Sequence, residues 1–139
     1  MKVVLGAGNP KRALISAGIH GDEPAGVDTL YAFLKEKRYM SFLGDWELTL
    51  LPCINPSGYE SGTRKNSENI DLNRKFKVKS PPREVKCVQL VFKKKFDLTL
   101  ELHEDVDSTG YYLYQAVNSD KRATLGYQIL DKVKKVMPV

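Results

Sequence analysis

Residues 13–34 read ALISAGIHGDEPAGVDTLYAFL. The stretch opens on a short apolar run, Ala13 to Ala17, bounded by Gly18, which reads as a buried strand. It closes on apolar residues at helical spacing, Val27, Leu30, Tyr31 and Leu34. Pro24 suits the first turn of that helix, where a missing N–H costs nothing. Between strand and helix lies the turn His20-Gly21-Asp22-Glu23, with Gly18 and Gly21 free to bend. A strand that feeds a helix through a tight turn is the opening unit of an α/β sheet.

Working outward, Val3 to Ala7 reads as a strand, and Met1 to Gly8 as a whole suits a sheet edge, cut off by Asn9, Pro10, Lys11 and Arg12. Trp46 to Ile54 reads as a buried strand with Trp46 in the core, ended by a turn at Asn55-Pro56-Ser57-Gly58. Tyr59 to Lys79 shows no clear periodicity, and a loop of that length in a compact domain points to function. Ser80 reads as the cap of a helix with Pro81 and Pro82 in its first turn and Val85, Val88 and Phe92 on one face. Asp97 to Leu102 is expected as a strand with Leu98, Leu100 and Leu102 alternating. Tyr111 to Val117 is expected as another, with Tyr112 and Tyr114 lining its faces. Asp120 is expected to open a last helix with Leu125, Ile129, Val133 and Val136 inward. The alternation implies an α/β fold of three layers: a mostly parallel mixed sheet with helices on both faces.

The 139 residues suit one domain, 1–139. Apolar residues are 42% and charged residues 28%, the profile of a globular protein. No window approaches 18 apolar residues, so no membrane span is expected. The first residues are too short a run for a secretory signal, which makes the cytoplasm the expected compartment. The formal charge is +5. The runs Lys93-Lys94-Lys95 and Lys132, Lys134, Lys135 read as solvated helix ends and faces. No basic motif interleaved with aromatics is present, so no nucleic-acid partner is expected. Cys53 and Cys87 form no CxxC pair and sit in apolar stretches. They read as free buried thiols of a reducing compartment.

Three segments stand at the ends of expected strands: His20 to Glu23, Asn55 to Phe76, and His103-Glu104-Asp105. In open α/β sheets, ligands bind beyond the carboxyl ends of the strands. The chain has two histidines, and both fall there. A lone histidine is more often a core or surface residue than a ligand. Two at two strand ends, one followed three residues on by Glu23, favour a metal site. Two ligands from one turn and a distant third make a His₂Glu set that leaves a fourth zinc position open. Asp22 and Glu104 are candidates to orient the imidazoles from behind.

Taken in order, four segments resemble the zinc carboxypeptidases, near the branch of succinylglutamate desuccinylase and aspartoacylase. They are Ile19-His20-Gly21-Asp22-Glu23-Pro24-Ala25-Gly26; Asn55-Pro56-Ser57-Gly58-Tyr59-Glu60 with Gly62 and Arg64; Asn69-Ile70-Asp71-Leu72-Asn73-Arg74 with Phe76; and Leu102-His103-Glu104-Asp105. The resemblance runs from about Ala13 to Tyr114. It implies a zinc carboxypeptidase or phosphorylase/hydrolase-like fold and one zinc per chain held by His20, Glu23 and His103. It implies that Arg64 polarises the scissile carbonyl and steadies the oxyanion, and that Asn73 and Arg74 grip a free carboxylate. The substrate it implies is a peptide or an N-acyl amino acid, cut at an amide bond beside that carboxylate.

The sequence departs from the family pattern in one respect. The family places a glutamate late in the chain as general base and acid, whereas the last glutamate here is Glu104. The reading therefore expects an N-terminal part of the domain, truncated at its C-terminal side. Such a part would bind metal and carboxylate, turn over little by itself, and tend to self-associate through an exposed edge. A non-catalytic binding module is the alternative.

Overall fold

The structure is a computed structural model that describes residues 1–116 and 124–139. It contains two compact units, Met1–Glu104 and Asp105–Val139.

The first unit is built on a four-stranded sheet of order β1-β3-β2-β4. The strands are β1 (Val3–Leu5), β2 (Lys11–Ala17), β3 (Trp46–Leu51) and β4 (Leu98–Leu102). β2 pairs parallel with both β3 and β4, and β1 lies antiparallel on the far side of β3 at the edge. The sheet is thus mixed and mostly parallel, as expected. The register puts Ala13 and Ile15 beside Leu48 and Leu50 on one side, and beside Leu98 and Leu100 on the other. These residues share one face because side chains alternate along a strand.

Helices cover both faces. Helix α1 (Pro24–Lys35) and the 3₁₀ turn Arg38–Phe42 cover the first, where Leu48 and Leu50 pack with Phe33, Leu34, Tyr39 and Trp46. Gly26 lets α1 lie close: a Cβ there would stand 3.0 Å from Leu102 Cβ and 3.3 Å from Ala17 Cβ. The opposite face, carrying Leu14 and Leu51, packs against Leu72, Val85 and Val88 of the 3₁₀ turn Leu72–Lys75 and helix α3 (Arg83–Val91). That is the three-layer α/β arrangement.

Several local expectations are corrected. The segment expected as a turn at Asn55 to Gly58 begins a short helix, α2 (Pro56–Ser61). Asn55 caps it by accepting from Gly58 N–H at 3.0 Å, Pro56 fills the first position, and Gly62 ends it in the left-handed region (φ 61°). Helix α3 starts at Arg83, with Pro82 extended before it and no side-chain cap from Ser80. A residue before proline is pushed out of the helical region, so Ser80 and Pro81 cannot join the helix. Phe92 sits beyond the helix end and is exposed, while Val85 and Val88 are buried. Tyr31 is exposed too, its ring under the Lys35 ammonium, and Phe33 takes the inward place. Both cysteines are free, but Cys53 is half-buried and Cys87 exposed on α3.

In the second unit, residues 111–116 form no strand. Their polar groups are met locally instead: Tyr111 N–H donates to Pro138 O at 2.8 Å and Gln115 Oε1 accepts from Gly126 N–H at 2.7 Å. Tyr112 and Tyr114 are accordingly exposed, not set on strand faces. Val117 and Asp120 lie outside the described residues. Helix α4 (Thr124–Val133) is present, but Leu125 and Val136 are exposed and only Ile129 and Val133 are half-buried.

Candidate metal centre

The site grows from the carboxyl ends of β2, β3 and β4. Beyond Ala17 the chain turns at Gly18 (φ 63°). Ile54 N–H donates to Ala17 O at 3.1 Å and Asn55 N–H to Gly18 O at 2.8 Å, tying the exits of β2 and β3 together. Gly21 then presses against α2. A Cβ on Gly21 would stand 1.9 Å from the Gly58 carbonyl carbon, a distance only glycine can meet. Two loops are clasped backbone to backbone, which fixes His20 in a buried position (3% exposed). Glu23 stands at the cap of α1, and His103 follows directly on β4.

Glu23 bridges the two imidazoles. Its Oε1 lies 2.6 Å from His20 Nδ1 and its Oε2 lies 2.7 Å from His103 Nδ1. Oε2 also accepts from Glu104 N–H at 3.2 Å. Donor atoms of the three side chains all lie within 4.8 Å of one another.

The fit to a metal can be tested on the proton inventory. If protons bridge the carboxylate to both Nδ1 atoms, neutral His20 is left with an unprotonated Nε2. That atom is buried and has no hydrogen-bond partner, a costly arrangement. If a cation occupies the point of convergence, both Nδ1 lone pairs face it. Nε2 of His20 then carries the proton and points it toward Asp71 Oδ1, 3.6 Å away. A carboxylate behind a metal-bound imidazole is the usual way to fix its tautomer. The nitrogen, oxygen, nitrogen donor set fits zinc, and Asp71 stands behind the buried Nε2 at an ion-pair distance, not a hydrogen bond.

Charges around the centre are strongly coupled. Burial alone would raise the Glu23 carboxyl, but hydrogen bonds from His103, His20 and Glu104 N–H outweigh it and hold the group below its ordinary range. His103 is pushed up to about 9 by the carboxylates of Glu101 and Glu23. Of these, Glu101 stands 3.8 Å from Nε2, an ion-pair distance, and Glu23 is a true hydrogen bond. At Asp71 burial again pushes upward, and Arg64 with His20 and Arg74 prevails, so the group stays ionised.

Asp71 gathers the arginines. Arg64 Nε lies 3.1 Å and Arg74 Nε 3.4 Å from Asp71 Oδ2, and Arg64 Nη1 reaches within 3.7 Å of Glu23 Oε1. The fold thus brings His20, Glu23, His103 and Arg64 into one cluster, with Arg74 joined through Asp71. Asn73 sits on the same 3₁₀ turn and is exposed. Its backbone N–H donates to Asp71 Oδ1 at 3.1 Å, and its side chain bonds to none of the other described site residues.

The loop that carries these residues is organised by Asn66, which is 5% exposed. Its Oδ1 accepts from Glu68 N–H and Ile70 N–H at 3.1 and 3.0 Å, and its Nδ2 donates to Glu84 Oε1 at 3.0 Å. Asp71, Glu101 and Asn66 were not identified from sequence. Asp71 had a signal: an aspartate two residues before Asn73 that can cap its own turn. Asp22 and Glu104, the residues expected to orient the rings, do not. Asp22 is exposed and touches neither imidazole, and the Glu104 carboxylate accepts from Ala25 N–H at 3.0 Å at the start of α1.

Residues 9–136 match the profile of the succinylglutamate desuccinylase/aspartoacylase catalytic domain. The chain belongs to this family. It is 39% identical over 70 residues to murein peptide amidase A of Escherichia coli K12, a match covering 50% of this chain and 27% of that protein. A Shewanella denitrificans OS217 structure assigned as a metallopeptidase superposes with a TM-score of 0.76 at 24% identity, over 99% of this chain and 53% of that one. A Pseudomonas aeruginosa metallo-carboxypeptidase superposes with a TM-score of 0.66 at 24% identity, over 78% of this chain and 32% of that one. The chain therefore spans about half of the Shewanella chain, and its matched part about a quarter of the amidase. The structures confirm the metallocarboxypeptidase fold. No described helix is long and apolar enough to cross a membrane.

Proposed function

We propose that the chain supplies the metal-binding and carboxylate-anchoring part of a zinc-dependent hydrolase that cleaves an amide bond beside a free carboxylate. The observation that carries this reading is the convergence of His20, Glu23 and His103 donors with Arg64 3.7 Å from the shared carboxylate. Zinc held by those three residues supplies a Lewis acid and a water of lowered pKa. Arg64 sets a fixed cation beside the reacting carbonyl, where it opposes charge that develops in the transition state. Arg74, with most of its guanidinium in solvent (81% exposed side chain), offers a fork for a carboxylate, and Asn73 adds an amide donor on the same turn. Asp71 holds both arginines and backs His20.

Proton transfer is the weak point. The Glu104 carboxylate is engaged by Ala25 N–H, and Asp105 accepts from Tyr112 O–H at 2.7 Å. A positioned acid or base contributes about 10²–10⁴-fold, so turnover by this chain alone is expected to be very low. Within the shared chemistry two substrates compete. The peptide bond next to a C-terminal carboxylate is favoured by the Asp71-Leu72-Asn73-Arg74 context, and the acyl bond of an N-acyl amino acid by the family profile over residues 9–136. The free thiols suit the cytoplasm we propose as its compartment. Binding of zinc-loaded protein to a short peptide, its C-terminal amide and an N-acyl glutamate tests the reading. Affinity for both free acids and loss with the amide support it. Equal binding of acid and amide removes the anchor, and protein that takes up no zinc removes the centre.

A further inference from the structure

We infer that residues 74–86 form a docking surface for an acidic peptide segment beside the carboxylate anchor. This rests on the anchoring role of Arg74 and extends it to the body of the substrate. The segment holds six cations, Arg74, Lys75, Lys77, Lys79, Arg83 and Lys86, and one acid, Glu84. Its surplus of five positive charges in thirteen residues equals in size the net charge of the whole chain, +5. Glu84, already counted in that surplus, is turned toward Asn66, whose Nδ2 donates to its Oε1. Of the six cations only Arg74 has an ion pair to a described residue. Lys77, Lys79, Arg83 and Lys86 are exposed and Lys75 is half-buried.

The backbone beneath these charges is fixed in place. Phe76 and Val85 pack into the core, and Phe76 O accepts from Gln89 Nε2 at 2.9 Å. Like charges held together on a rigid surface repel one another, and an anionic ligand relieves that repulsion. The surface borders an open cleft of about 360 Å³, walled by Ile70, Val78 and Pro81, with Lys75, Ser80 and Glu68 as its polar groups. Ile70 and Lys75 bracket Asp71 to Arg74 in sequence, so the cleft shares its backbone with the anchor. Its chemistry suits peptide better than nucleic acid. No aromatic ring lines it, so bases have nothing to stack on. Four of the six cations are lysines, point charges that meet single carboxylates. Ser80 and Glu68 can meet backbone amides.

The test compares zinc-loaded full chain binding to fluorescein-labelled hexaglutamate and hexaglutamine by anisotropy. Hexaglutamate is expected to bind at least about tenfold tighter at low ionic strength, with the preference collapsing in molar salt. The triple variant Lys77→Gln/Lys79→Gln/Arg83→Gln should bring the two peptides to equal affinity while zinc content and Tm stay at wild-type values. The single Lys79→Glu should move in the same direction. A preference retained by the triple variant overturns the surface, as does tighter binding of oligothymidylate or tripolyphosphate than of hexaglutamate. Hexaglutamate with an amidated C-terminus reads the Arg74 anchor separately. Its binding as tightly as the free acid counts against the anchor, whatever the lysine variants do.

Discussion

At the scale of single residues the site depends on donor geometry and on two close approaches. His103→Ala removes one proposed zinc ligand and one partner of Glu23. Zinc stabilises only the native state, so wild-type protein should lose Tm on chelation and the variant should show no such shift. A chelator-insensitive wild-type melt with no metal in elemental analysis would sink the zinc reading. The pH dependence separates metal-free from loaded protein. Without metal, the folded pKa of His103, about 9, lies above its ordinary 6.5. Its pairing with Glu101 and Glu23 then stabilises fully below about 6.5 and is lost as pH rises through about 9. Zinc needs the neutral ring, so affinity should rise by up to about tenfold per pH unit toward pH 9. Melts across pH 6–10 should show the chelator-induced drop in Tm growing with pH, and a constant drop would show that His103 does not bind the ion. Gly21→Ala is expected to be worse than its size suggests. Its Cβ would fall 1.9 Å from Gly58 C, so the His20 turn must move and zinc affinity should fall at least about tenfold, the cost of disturbing a ligand's support. Arg74→Ala should weaken carboxylate ligands by roughly 1.5–3 kcal/mol, as for a charge-assisted hydrogen bond. Titration with free-acid and amidated peptides measures it.

At the scale of elements the core is conventional, and the loop between α2 and α3 is where the site can be lost without unfolding the sheet. Leu50 is fully buried in the central strand β3 (0% exposed). Leu50→Ala should cost about 2–5 kcal/mol by denaturant unfolding. Asn66→Ala should cost less globally but leave Glu68 N–H, Ile70 N–H and Glu84 without their partner, loosening Arg64 and Asp71 together. The expected signature is weakened carboxylate binding with near-normal zinc content, and loss of both in step would show a merely global effect. This division matches what the sequence discloses. Ala13 to Ala17 and Trp46 to Ile54 are apolar runs bounded by breakers, and both became central strands because burial on two faces requires such runs. The cluster of His20, Glu23 and His103 was legible because these residues follow strand ends. Asn66 was not, since its role depends on a contact 18 residues away, and Glu101 was passed over although it stands two residues before His103 on the same side. The helix after Asn55 was missed although cap, proline and terminal glycine were all in the sequence. Six residues are too few for a periodic signal to show. Residues 111–116 failed as a strand because alternation makes one only where a neighbouring edge accepts its hydrogen bonds.

At the scale of the whole molecule the open question is what a sheet of this kind does with its last edge. β4 is hydrogen-bonded within the described sheet to β2 alone, so its other side has no strand partner among the described residues. Such an edge invites pairing unless it is short, charged or covered. β4 runs five residues and carries one charge, Glu101, with Leu98, Leu100 and Leu102 half-buried on the α1 face. One acid is modest protection, and Glu101 is already committed beside His103. Self-association through this edge is therefore expected, seen as a concentration-dependent rise in sedimentation coefficient. Thr99 is exposed at the middle of the edge, and Thr99→Lys places there the residue that natural edges use to repel partners. The variant should sediment as monomer while its zinc content stays unchanged, since Thr99 bonds to none of the ligands. The comparison also bears on catalysis: a neighbour paired along β4 would lie close to His103 and could bring a carboxylate to the site. If wild-type protein shows weak hydrolysis that scales with the associated fraction and disappears in Thr99→Lys, the proton carrier comes from the neighbour. Monomeric wild-type protein at all concentrations would remove both the edge contact and that route.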